Sequence, residues 1–165
     1  MKRPKQKVCD ANQDLIRSGQ LRALQPCFQI YGPSSDILRS CSYGQSVRRQ
    51  WLDPSVSRRE RQWESSCGGC GGSLRCAILG GNPVVQAQNN GWAGIIVNGC
   101  IRDVDEINGC DIGVRALASH PIKASKKGLG EQRVPLNIAG TRICDGEWLY
   151  ADTDGILVSH IELSV

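Results

Sequence analysis

The chain has 165 residues, enough for a single domain spanning residues 1–165 with a sizeable core and no need of disulfide or metal staples. Its formal charge of +4 is mild, and the basic residues are scattered rather than gathered with aromatics into a stripe, so direct nucleic-acid binding is not indicated. No apolar run reaches the length of a membrane span and no hydrophobic signal core follows Met1-Lys2-Arg3-Pro4-Lys5, which leads us to expect a soluble cytoplasmic protein with no membrane contact.

In chain order, Val8 to Ile16 carries apolar residues at helical spacing and Ser18-Gly19 stops it, which predicts one amphipathic N-terminal helix. Phe28 to Tyr31 then reads as a strand. Residues 33–70 offer Ile37, Leu38, Val47, Trp51, Leu52, Val56 and Trp63 in no sustained period, the pattern of a disordered insert. The text becomes ordered again from Gly80. Asn82 is a candidate N-cap and Pro83 a candidate first residue of a short helix closed by Gly91, so that free backbone N–H groups would face an anion. A plain tight turn would use the same residues.

Next comes Gly91 to Asp103, a short apolar run bounded by glycines that reads as a buried strand delivering Arg102 and Asp103 just past its C-terminal end. Open α/β folds keep their chemistry there. An arginine can fork onto a substrate carboxylate and an aspartate offers hard oxygens to a divalent cation, a combination suited to an anionic, chelating substrate. The same pair also suits a surface turn or a salt bridge.

After a short polar turn, Ile112 to Ser119 resumes the strand pattern, and Lys123 to Gly130 reads as a mobile basic loop. Further strands are predicted near Val134–Ile138, Thr141–Cys144, Trp148–Ala151 and Ile156–Ser159, with turn signals at Asp145-Gly146 and Asp154-Gly155. The nine cysteines are irregularly spaced, and Cys76, Cys100 and Cys144 lie in apolar runs, so they read as reduced core thiols. Cys67-Gly68-Gly69-Cys70 has zinc or redox spacing, but no second pair or His cluster completes four ligands. His120 and His160 are far apart and without local partners.

Gly72-Ser73-Leu74-Arg75, Gly80-Gly81-Asn82, Gly99-Cys100-Ile101-Arg102-Asp103 and Tyr150-Ala151-Asp152-Thr153-Asp154-Gly155 together resemble the RraA-like family, particularly its plant members. The likeness runs from Gly71 to the end, and again from Val8 to Gly32. Members of that family are described as 4-hydroxy-4-methyl-2-oxoglutarate aldolases, and the bacterial namesake regulates ribonuclease E. The resemblance implies an α/β domain of the swivelling β/β/α type, usually a homotrimer with sites near subunit boundaries.

It also implies a divalent-metal-dependent class II aldolase that cleaves 4-hydroxy-4-methyl-2-oxoglutarate to pyruvate, with an oxaloacetate decarboxylase side activity. In the family, the Arg matching Arg102 contacts the substrate and the Asp matching Asp103 helps hold Mg²⁺ or Mn²⁺. Gly80, Gly81, Asn82 and Pro83 match the loop that contacts the 2-keto acid. No Schiff-base lysine is needed, so Lys123, Lys126 and Lys127 read as solvated loop charges. Some active relatives carry an acidic side chain near the Gly81 position, which leaves the general base open here. Asp10 and Asp105 are polar candidates that also suit caps or surface groups. The alternative function is a non-catalytic regulator that binds a ribonuclease.

Between Gly32 and Gly71 the family instead has a glycine-proline turn, a Val-rich strand, a helix and a second strand. Codons permitted for Arg39 to Trp51, read one nucleotide later, spell Gly-Pro-Val-Val-Thr-Val-Lys-Val-Phe-Glu-Asp-Asn, and Asp53 to Ser65 behaves likewise. The resulting expectation is a compensated frameshift over residues 33–70. Cys41, Cys67 and Cys70 would then be accidental, and the polypeptide as written would fold poorly.

Overall fold

A computed structural model of the chain describes residues 5–33, 37–43, 65–69, 71–125, 135–144 and 146–163. The N-terminal apolar stretch forms two short helices rather than one, α1 (Lys5–Ala11) and α2 (Gln13–Arg17). Asn12 separates them: its side-chain amide donates to the Val8 carbonyl at 2.8 Å, one of the local bonds by which Asn competes with a continuing helix. Val8 is buried against Leu21, Tyr150, Leu157 and Leu163, whereas α2 only packs the half-buried Leu15 against that cluster and leaves Ile16 exposed. Gly19, at φ 75°, then turns the chain.

The strands β1 (Leu21–Ala23) and β2 (Gln29–Tyr31) come next. The stretch expected to be a disordered insert has strands at both ends, β3 (Ile37–Tyr43) and β4 (Ser65–Gly69). Their backbones are held by ladders to neighbours that are strands in their own right, and such ladders tolerate polar residues. Ile37 is fully buried, under Gly94, where a Cβ would collide with its Cδ1. Residues 34–36, 44–64 and 70 lie outside the described residues.

The chain continues through β5 (Ala77–Leu79), α3 (Gly81–Asn89), β6 (Gly94–Ile101), α4 (Val104–Asn108) and β7 (Gly113–Ser119). The strands predicted in the C-terminal third are all present as β8 (Leu136–Ile138), β9 (Thr141–Ile143), β10 (Trp148–Ala151) and β11 (Ile156–Ser159). The class is α/β, as expected. One mixed sheet runs β1-β11-β10-β3-β4-β6-β7-β2, and β8 and β9 form a separate hairpin. Its first part is antiparallel, β3 through β7 are parallel, and β2 closes the far edge antiparallel to β7.

β6 is the centre of the parallel part and is covered on both faces, which is why it reads as an unbroken apolar run. Ile96 packs with Ile37, Leu136, Ile138, Ile143 and Leu149 on one face. Ile95, Val97 and Ile101 pack with Val84 and Ala87 of α3 and Ile107 of α4 on the other. β5 and β4 share one edge of β6, with β4 along its start and β5 along its end. Consequently β5 and β6 finish side by side, and the turns leading out of the two strands meet at the C-terminal edge of the sheet. No helix among the described residues is long and apolar enough to cross a membrane.

Candidate functional site

The Arg102 backbone N–H donates to the Leu79 carbonyl at 2.9 Å, which fixes Gly80 beside Arg102. The chain leaves β6 through Asp103 at φ 59°, ψ 45°, a left-handed conformation that Asp tolerates better than most residues. That turn sends the Asp103 carboxylate back toward α3. Its Oδ2 accepts the Gly81 backbone N–H at 3.1 Å and lies 3.5 Å from Arg102 Nε. The two side chains are 35% and 39% exposed, so the pair is open to an incoming ligand while anchored at its base.

Asn82 is not the N-cap and Pro83 is not the first helical residue. The helix begins at Gly81 with Gly80 as the cap residue, and Asn82 and Pro83 fill its second and third positions. The first four N–H groups of a helix have no internal partner, so proline's missing donor costs nothing at that place. Capping comes from the Asp103 carboxylate on the neighbouring crossover instead of from an Asn82 side chain. One of the backbone donors expected to face the substrate, that of Gly81, is therefore already engaged.

Both glycines leave room that neighbouring side chains occupy. A Cβ on Gly80 would sit 2.8 Å from Asp103 Oδ2 and 3.4 Å from Arg102 Nε. A Cβ on Gly81 would fall on Oε2 and Cδ of Glu106 and lie 2.9 Å from its Cγ. Glu106 thus joins the group, a residue that sequence reasoning missed because Val104–Asn108 passes for a polar turn. The usable signal was its spacing: on a helix, residues three apart share a face, which sets Glu106 with Asp103. The edge then carries one guanidinium, two carboxylates and the positive end of α3.

Of the other candidates, Asp105 is exposed in the first turn of α4. Asp10 is exposed on α1, and its neighbour Cys9 feels the charge of Asp152. Asp152 comes just after β10, whose end pairs with the start of β3, so Asp10 belongs to the opposite edge of the parallel strands. Lys123 is exposed beside Ala77, and Lys126 and Lys127 lie outside the described residues, as does most of the loop read as mobile.

His120 comes to the site edge, its N–H donating to the Ile101 carbonyl at 2.8 Å, and its Nδ1 accepts from Ile122 N at 3.1 Å. His160 is not without partners either: its Nδ1 lies 2.6 Å from Glu147 Oε1, in a group with Arg22 far from Arg102 in the sheet order. Cys100 and Cys110 are buried and Cys76 and Cys144 partly buried, all outside any disulfide, as expected of reduced core cysteines. Burial pushes the Cys110 thiol above its usual value, and the Glu106 charge adds to the effect. The Cys67 and Cys70 side chains lie outside the described residues. Among the described residues no three His, Cys, Asp or Glu gather as a closed metal site.

Comparison with known proteins bears on this geometry. The model of the RraA-like family, Aldolase/RraA, matches residues 66–158. Two Arabidopsis thaliana proteins, "Putative 4-hydroxy-4-methyl-2-oxoglutarate aldolase 2" and its namesake 1, are 73% and 74% identical over 163 residues, covering 96% of this chain and 95% of each relative. A Burkholderia multivorans protein bearing the same aldolase name is 42% identical over 157 residues, 95% of this chain and 96% of its own. The solved structure of the RNA-processing inhibitor RraA from Thermus thermophilis is similar with a TM-score of 0.82 at 30% identity, over 99% of this chain and 96% of that one.

Proposed function

Because the chain belongs to the RraA-like family, we propose that it is a lyase that cleaves 4-hydroxy-4-methyl-2-oxoglutarate to pyruvate, with oxaloacetate decarboxylation as a side activity. The observation that carries this reading is the pairing of Arg102 and Asp103 over the Gly80–Gly81 helix start, at the C-terminal edge of parallel strands. Arg102 forks onto a substrate carboxylate and stays in place to stabilise the negative charge of the pyruvate enolate as the carbon–carbon bond breaks.

Asp103 fits a divalent cation of the Mg²⁺ or Mn²⁺ type. Its carboxylate is partly exposed, and such ions keep most of their water and need only one or two protein carboxylates, so a closed cage is not required. When bound, the ion supplies Lewis-acid polarisation of the 2-keto group. Arg102 holds Asp103 in position from one side and Gly81 N–H from the other. We propose a homotrimer as the working assembly.

The test is pyruvate release from 4-hydroxy-4-methyl-2-oxoglutarate and from oxaloacetate, with Mg²⁺ or with EDTA, beside Arg102→Ala and Asp103→Ala. Metal-dependent turnover that falls by about a hundredfold or more in both variants is expected, the scale of losing a group that stabilises transition-state charge. Absence of turnover from folded wild-type protein would leave the second reading, a non-catalytic regulator of a ribonuclease, which the likeness to the Thermus RNA-processing inhibitor supports.

A further inference from the structure

His120 brings an unused hydrogen-bond donor to the site edge. Ser119 pairs with Ile101, and the ladder runs one residue further, where the His120 N–H donates to the Ile101 carbonyl at 2.8 Å. His120 therefore stands in register beside Arg102, one strand spacing of about 4.8 Å away. The chain then crosses the end of β6 and joins the outer side of β5. Ala77 pairs with Cys100 on one side and with Lys123 on the other, its N–H donating to the Ile122 carbonyl at 2.7 Å and its carbonyl accepting the Ala124 N–H at 2.8 Å. Both ends of the His120 segment are thus tied down, across the place where Arg102 and Asp103 leave the sheet.

The ring is fixed as well as the backbone. Its Nδ1 accepts the Ile122 N–H at 3.1 Å, which puts the ring proton on Nε2. The residue is half-buried, and Nε2 has no hydrogen-bond or ion-pair partner among the described residues. An oriented N–H beside a guanidinium is a second donor for an anion, and a bond from it to a carboxylate gains from the acceptor's charge.

We propose that His120 Nε2–H binds the second carboxylate of the substrate, the one carried on C4, while Arg102 holds the carboxylate beside the keto group. The proposal rests on the lyase reading and narrows its substrate class to 2-keto acids that bear a further carboxylate on C4. The C3–C4 bond that breaks lies between the two anchored carboxylates, so His120 orients it without touching the reacting atoms.

The experiment measures binding by calorimetry, in the full-length protein with Mg²⁺, for 2-oxoglutarate and for 2-oxopentanoate, which has a methyl group in place of the second carboxylate. His120→Phe keeps a ring and removes both nitrogens, whereas His120→Gln returns an N–H near the Nε2 position. Both lose the acceptor for the Ile122 N–H, so the difference between them isolates the Nε2 donor. Wild type should bind the diacid about tenfold or more tighter than the monoacid, the range of one hydrogen bond to a charged group. His120→Phe should bind the two within about threefold of each other and His120→Gln should keep most of the preference, with monoacid affinity unchanged in both. In turnover, KM for 4-hydroxy-4-methyl-2-oxoglutarate should rise about tenfold in His120→Phe with kcat within about threefold, the mark of lost uniform binding.

No diacid preference in wild type, a preference that survives in His120→Phe, or its equal loss in His120→Gln would each overturn the assignment. A diacid preference that follows His120 in a wild type with no turnover of 4-hydroxy-4-methyl-2-oxoglutarate or oxaloacetate would instead sink the lyase reading and leave the carboxylate site standing.

Discussion

Asp103 shows how much of this site one backbone torsion decides. A residue in an ordinary extended conformation after β6 would carry its side chain onward. At φ 59° the carboxylate returns to cap α3 and to face Arg102. Nothing in the order Arg-Asp announces that turn, so the two residues were legible as a pair and their relation to Gly81 was not. Tyr150 illustrates a residue whose energetics can be tested directly. It is 1% exposed, and its hydroxyl accepts the Leu163 N–H at 2.6 Å. Burial pushes its phenol above the usual value of 10.0, outweighing the Leu163 hydrogen bond. The folded state therefore disfavours the phenolate, and the unfolded chain loses this proton first. The resulting stability is complete below the unfolded pKa and is lost as pH rises toward the folded one. Urea melts from about pH 8 to about pH 11 should show falling stability with a shallower slope in Tyr150→Phe, which titrates nothing at that position. An unchanged slope would mean that the phenol does not ionise on unfolding.

At the scale of elements, legibility followed apolar pattern and turn signals. The strands of the C-terminal third announced themselves by alternation and by Asp-Gly turns, and β6 by its glycine-bounded apolar run. β1 and β5 are three residues each, no shorter than the legible β2, β8 and β9, so length alone does not separate them, and α4 offers few apolar positions in five residues. The N-terminal helix was correct in kind and wrong in number because Asn12 bonds to the Val8 carbonyl. Long-range polar pairing was invisible for a different reason. Glu147, 3% exposed, meets Arg22 of β1 at 2.5 Å and His160, just past β11, at 2.6 Å, and its Oε2 accepts the Cys144 N–H at 2.8 Å. Those partners are brought together only once the antiparallel strands have paired. Glu147→Ala would leave the Arg22 charge partly buried without its counter-ion, a change that costs about 3 kcal/mol when Arg22 remains a quarter exposed. Thermal or chemical melts of this variant should show that loss, with the lyase activity of the remaining folded fraction unaltered. A stability equal to wild type would demote the group to a surface ion pair.

For the molecule as a whole, the two strands at the ends of the segment 33–70 sit where the two parts of the sheet join. β3 and β4 bridge the antiparallel and parallel parts, so the hydrogen-bonded path from β10 to β6 passes through them. As written, these strands read Ile-Leu-Arg-Ser-Cys-Ser-Tyr and Ser-Ser-Cys-Gly-Gly, poor in the β-branched residues that fill a doubly covered strand. The shifted frame places Val-Val-Thr-Val-Lys-Val-Phe in the same region. Burying several more aliphatic side chains at about 25 cal/mol per Å² amounts to several kcal/mol, comparable to a domain's net stability. We therefore expect a chain carrying residues 33–70 in the shifted frame to melt cooperatively and well above the chain as written. Circular-dichroism melts of the two proteins, beside sequencing of the transcript, measure this. A transcript with no such alternative frame, together with an equally cooperative and equally high melt for the chain as written, would show that backbone ladders to β6 and β10 suffice to hold polar text at the centre of the sheet.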